Sequence, residues 1–128
     1  MKEQFDLVRT FVHLDNAGNA KPVKVTPSSW RDTTAKYERV LGAFDFNSDD
    51  DLHASMQEMH PEADEVLFVV SGAVDVLIEE AGVENVVCLE AGEAAVVGRG
   101  RWHRLAMRRP GKLLFINSRV GMQGRDAS

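Results

Sequence analysis

A chain of 128 residues has room for one hydrophobic core and one compact domain. Apolar residues make up 44% and charged residues 27%, the proportions of an ordinary globular protein, and a formal net charge of -5 provides no general phosphate-neutralising surface for nucleic acid. The lone cysteine, Cys88, has no disulfide partner, and no apolar run approaches the roughly 20 residues that span a bilayer. Cys88 lies in the apolar run "NVVCLE" and is expected to be buried and structural rather than a nucleophile. The N-terminal "MKEQFDLVRT" carries acids where a signal peptide has its apolar core, so a cytoplasmic location is the default expectation.

The first stretch, "LVRTFVHLDNAGNAKPVKV", reads as two short strands around an Asn-Ala-Gly-Asn turn. "TPSSWRDTTAKY" follows as a loop with one helical turn, and "ERVLGAFDF" as a strand closed by the solvated turn "NSDDD". Those aspartates lack the spacing, glycine and closing glutamate of an EF-hand calcium loop. Residues 1–49 are accordingly read as strands and a loop packed on a core formed by residues 50–128. From Leu52 the chain is strand after strand: "LHASMQEMH", "VLFVVSG", "AVDVLIE", "NVVCLE", "EAAVVG" and "KLLFIN", broken at "SGA", "EEAGVE", "EAGE", "GRGR" and "RRPG". Short strands with turns at such intervals predict an all-β sandwich or barrel in one domain. The basic run "RGRWHRLAMRRPGK" reads as a solvated face.

Alternation then sorts the side chains, because strand residues two apart share a face. In "LHASMQEMH" the mostly apolar set Leu52, Ala54, Met56, Glu58 and His60 is expected to face inward, and His53, Ser55, Gln57 and Met59 outward. After a turn at Pro61, Glu65 shares the inward face with Leu67 and Val69, and His103 opens a strand after the glycine turn of "GRGRWHRL". Glu58, His60, Glu65 and His103 would thus converge from three strands, a donor set suited to a divalent cation. The bland alternative is a hydrogen-bonded polar cluster, but unpartnered buried charges are costly and favour an ion or water. Arg39 either faces an acidic substrate or makes a surface ion pair. Trp102 either stacks on a ligand or packs, Met56 and Met107 either line an apolar pocket or fill the core, and Trp30 reads as a barrel-mouth or interface residue.

The chain resembles the small single-domain cupins. "EMHPEADEVLFVVSG" gives Glu58-x-His60, four residues, Glu65, six residues and Gly72, the spacing of that family's first motif, with glutamate in place of the first histidine. "GEAAVVGRGRWHRLAM" gives Gly92, Gly98 in the position of the second motif's proline, Gly100, His103, and Met107 in the position of its asparagine. The resemblance covers roughly residues 50–117. It implies a cupin jelly-roll barrel with a divalent metal (iron, manganese, zinc or nickel) on Glu58, His60, Glu65 and His103. Glu58 either ligates or stands behind the ligands as a base. The function expected is a metal-dependent enzyme acting on a small organic substrate, of oxygenase or isomerase/lyase type, with Glu58 or Glu65 as proton acceptor. The alternative is a barrel that binds or senses a small ligand without turnover. Exposed β edges and the family habit point to a homodimer.

Overall fold

The computed structural model describes residues 39–127 and the backbone of two N-terminal strands. These two, β1 (Thr10–Leu14) and β2 (Ala20–Lys24), form an antiparallel hairpin, and β1 continues onto β3 (Val40–Phe46). The remaining strands among the described residues are β4 (Met56–Met59), β5 (Glu65–Glu80), β6 (Val83–Glu90), β7 (Ala94–Val97), β8 (His103–Asn117) and β9 (Gln123–Asp126). All pair antiparallel in one curled sheet with the order β2-β1-β3-β8-β4-β9; β5 also joins β8 and carries β6 and β7 along its other edge. This all-β jelly-roll architecture agrees with the sequence reading. The loop expected at residues 26–37, and Trp30 within it, lie outside the described residues.

The two longest strands organise the molecule. β5 and β8 pair from Val66↔Ile116 to Ile78↔His103, with register shifts between Val69 and Val74. The breaks expected at "SGA" and "RRPG" are not strand ends. They sit at the same level of the paired strands, where Ala73 faces Arg109 and Ser71 faces Lys112, and there both strands bend without stopping. Bulges and glycine kinks of this kind turn a flat sheet into a curled one. The concave side buries Val40, Phe46, Leu67, Val69, Val74, Val76, Leu89, Val97, Leu113 and Phe115. Inward β-branched and aromatic residues at alternate positions of β3, β5 and β8 supply most of that core.

Three further expectations need correction. "LHASMQEMH" is not one strand: Asp50–Leu52 form a 3-10 turn, His53 adopts the left-handed conformation (φ 52°), and pairing begins only at Met56. Cys88 is exposed, because among the described strands β6 pairs only with β5 and turns this residue to the outer face opposite Asp75. Gln57 is buried at 3% exposure although it points away from the cavity, because polar side chains of neighbouring strands cover it. β9 was not anticipated; "QGRD" is exposed throughout and has no apolar alternation to announce it.

The basic run is neutralised in place. Arg101 pairs with Glu80, Arg104 with Glu84, Arg108 with Asp75 and Arg109 with Glu90, all acids of β5 and β6. No described helix is long and apolar enough to cross a membrane.

Candidate metal centre

Three strand termini meet at the site. Glu58 lies in β4 and is the direct cross-strand partner of His103, the first residue of β8. Facing residues of an antiparallel pair project on the same side, so this register alone sets their side chains together. His60 follows β4 and precedes Pro61, and Glu65 opens β5. The glycine turn before β8 is tied to this corner: Gly100 (φ 79°) donates its N–H to the His60 carbonyl at 2.9 Å, and the Arg99 N–H reaches Asp64 Oδ1 at 2.9 Å. Two segments 40 residues apart are thereby pinned against each other, and their histidine rings lie with centroids 5.8 Å apart.

Hydrogen bonding fixes the orientation of both imidazoles. His60 Nδ1 lies 2.8 Å from the Ser118 carbonyl oxygen, and His103 Nδ1 lies 3.2 Å from that of Arg101. A carbonyl only accepts, so each Nδ1 carries the proton and each Nε2 is directed into the site. This outer support is the arrangement that orients histidine ligands on metals.

The two Nε2 atoms differ in what they meet. His60 Nε2 is buried without a hydrogen-bond partner and faces Glu58 Oε2 at 3.8 Å and Glu65 Oε1 at 3.7 Å. His103 Nε2 bonds Glu65 Oε1 at 2.7 Å, and the other Glu65 oxygen accepts from Asn117 Nδ2 at 2.8 Å. Donor atoms of Glu58, His60 and His103 lie within 4.8 Å of one another. Two donors bonded to one ion at about 2.1 Å stand roughly 3.0–3.8 Å apart for angles of about 90–130°. The orphaned His60 nitrogen and its two carboxylate neighbours fit that spacing, and Glu58, His60 and His103 together make a group that could hold a metal ion, with Glu65 beside them bonded to His103.

Glu65 and His103 share one electrostatic state. Burial on its own would push the Glu65 carboxyl up, but the hydrogen bond and charge of His103, the charge of His60 and the Asn117 amide outweigh it, and the net direction is down. Burial would push His103 down, but its bond to Glu65 and that carboxylate's charge outweigh it, and the net direction is up. Each group thus favours the charged form of the other, and both ring nitrogens of His103 face acceptor oxygens, the arrangement that suits an imidazolium beside a carboxylate.

This makes the stability of the metal-free protein depend on pH. His103 contributes fully below its ordinary value of 6.5, and the contribution is lost as pH rises through the raised folded value. Glu65 contributes above 4.5, and its share is lost as pH falls through the depressed folded value. The chelated protein should thus have its highest thermal midpoint between those limits and lose stability on the alkaline side. Glu65→Gln should flatten the alkaline loss; a variant that loses stability as steeply as the wild type would assign it to another group.

Beside these residues opens a cavity of about 670 Å³, solvent at its mouth included, lined by Glu58, Glu65, His103 and Asn117 at the polar end. Its walls are Phe44, Leu52, Met56, Leu67, Leu105, Leu113 and Phe115, with Asp51, His53, Arg104 and Arg119 completing the lining. Asn117 and Ser118 are contributions that sequence reasoning missed. They follow the apolar run "KLLFI", and only the return of β8 to the site gives them a role. Met107 is partly buried against the core, and Trp102 lies under the Arg125 guanidinium, 3.9 Å from the ring centroid. Arg39 is exposed before β3 and is not part of the lining.

The cupin-domain family matches residues 53–117, which is half of the chain. The chain belongs to the cupin family. Among solved structures, this cupin is similar to a cupin-2 domain protein of Shewanella frigidimarina, with TM-score 0.50 and 18% identity over 63% of this chain and 71% of that one. It is also similar to CoII HppE in complex with substrate, with TM-score 0.53 and 19% identity over 74% of this chain and 49% of that one. Streptomyces albus HEPD, with substrate 2-hydroxyethylphosphonate and Fe(II) bound, gives TM-score 0.53 and 21% identity over 63% of this chain and 18% of that one. This cupin thus spans about half of the length of HppE and under a fifth of HEPD, and the likeness at these identities is one of fold. No curated protein matches it.

Proposed function

We propose that this cupin is a divalent-metal-dependent enzyme acting on a small organic substrate with a largely apolar body. The observation that carries the reading is His60 Nε2, a buried nitrogen with no hydrogen-bond partner, facing two carboxylate oxygens and held in that direction by Ser118. Glu58, His60 and His103 would hold the ion, with Glu65 as the fourth donor; iron, manganese, nickel and zinc all suit two carboxylates and two imidazoles. When bound, such an ion supplies Lewis acidity toward a substrate oxygen, and a redox-active one also supplies oxygen chemistry.

The protein residues divide the remaining work. Glu65, buried, depressed in pKa and bonded by Asn117 and His103, is a poor proton acceptor and a good fixed negative charge. Glu58 lines the cavity with its side chain about one-third exposed, and the oxygen it does not give to the ion would take the proton from bound substrate. Phe44, Leu67, Leu105, Leu113 and Phe115 exclude water from the substrate body and leave the polar end as its point of attachment.

The test is elemental analysis of protein purified without chelator, followed by product analysis on short 2-oxo and 2-hydroxy acids with apolar side chains. Near-stoichiometric metal in the wild type, reduced in Glu58→Gln, together with turnover that the variant lacks, is the expected result. Absence of metal even after reconstitution would overturn the reading. Metal and ligand uptake without turnover would make the barrel a binding module.

A further inference from the structure

Behind the metal centre, on the opposite face of the same strands, lies a second polar cluster. Its middle is Gln57, 3% exposed. The Gln57 Nε2 donates to Glu79 Oε1 at 3.2 Å and to Glu84 Oε2 at 3.3 Å, and its Oε1 accepts from Arg125 Nε at 2.8 Å. Arg125 also donates to Glu79 Oε2 at 2.9 Å and stacks on Trp102. Arg104 grips Glu84 through two bonds of 2.8 and 2.9 Å and reaches the Ala54 carbonyl at 3.2 Å. Strands β4, β5, β6, β8 and β9 all contribute.

The members have a common place in the sequence. Gln57 immediately precedes Glu58, while Trp102 and Arg104 flank His103. Neighbours along a strand point to opposite faces, so Gln57 lies behind Glu58, and the cluster grips both strands that carry the ligands, Arg104 alone among its members also reaching the cavity lining. β4 needs such support: it has four residues and meets β8 through the single pair Glu58↔His103. Its other edge pairs with β9, the exposed strand that carries Arg125.

We propose that Gln57 and Arg125 are positioning residues that hold β4 so that the Glu58 carboxylate stays within ligand reach of His60 and His103. The inference rests on the metal-centre reading above. It assigns the C-terminal strand to the working site, although none of the β9 side chains lines the cavity.

The test combines Gln57→Leu with Glu58→Gln in a double-mutant cycle and reads Co(II) and Zn(II) dissociation constants, Co(II) visible absorption and backbone amide exchange. Gln57→Leu should weaken binding about tenfold, within the range that outer partners of metal ligands command. It should also change the Co(II) spectrum and leave the unfolding transition cooperative. In the Glu58→Gln background the same substitution should have no further effect, because the carboxylate it positions is gone. Arg125→Ala, which removes a solvent-facing member of the cluster, should reproduce this if Gln57→Leu folds poorly. Equal losses with and without Glu58, or no loss, would overturn the proposal. A wild type that binds neither ion would refute the metal centre itself. Exchange in the chelated protein then decides the brace: faster exchange at residues 56–59 in Gln57→Leu supports it, and unchanged exchange overturns it.

Discussion

Replacing His60 by alanine should weaken divalent-metal binding by at least about 100-fold, beyond the 10–100-fold that outer partners of ligands typically contribute. The size follows from the geometry. His60 Nε2 is the one donor of the triad that is buried without a hydrogen bond, so an ion gains its lone pair without breaking an existing contact. The fold should survive. In the metal-free state the substitution removes the bond from Nδ1 to Ser118 and some packing, a cost of about 1–3 kcal/mol. Calorimetric titration with Zn(II) and urea unfolding of the chelated proteins measure the two quantities separately. Wild-type affinity in His60→Ala would remove this residue from the ligand set, whatever the other three do.

Gly111→Ala should lose about 3–5 kcal/mol of stability, equivalent to a midpoint lowered by roughly 10–20 °C. A Cβ at Gly111 would overlap the Ser71 carbonyl and lie 2.6 Å from the Gly72 nitrogen, and these are backbone atoms that cannot swing aside. Gly72 is the other half of the same contact: its φ is 80°, and a Cβ there would meet the Pro110 carbonyl and lie 2.6 Å from the Arg109 oxygen. Two backbones cross at this corner of β5 and β8 with no space for side chains, and the bend made there curls the sheet over the cavity. Thermal and urea unfolding of Gly111→Ala decide it, and a loss below about 1 kcal/mol would mean that the corner yields more easily than its geometry implies.

The Gly72 position also shows why a spacing motif can be legible as fold before it is legible as function. Gly72 closes the first motif because the chain there needs a positive φ and a bare backbone, and the spacing back to Glu65 fixes how far along β5 the bend falls. Alternation in "VLFVV" was enough to place Leu67 and Val69 inside with Glu65, since buried strand faces repeat every second residue. Alternation failed for residues 52–55, where a 3-10 turn replaces the strand, and apolar surroundings misled for Cys88, whose neighbours lie on a strand that is at the edge among the described strands. Apolar character says that a residue prefers burial; only the count of neighbouring strands says whether burial is on offer.

By itself, the sequence determined the all-β class, the cupin pattern and the four residues Glu58, His60, Glu65 and His103 that the structure gathers at one end of the barrel. Local alternation and turn chemistry encode those features, and both are written in neighbouring residues. Tertiary structure decided which nitrogen of each histidine faces the site, that Glu65 is bonded to His103 and Asn117 while His60 Nε2 has no partner, and that Gln57 is buried beneath Arg125. Each of these depends on hydrogen bonds between segments up to 68 residues apart, and their partners become neighbours only after the sheet has curled.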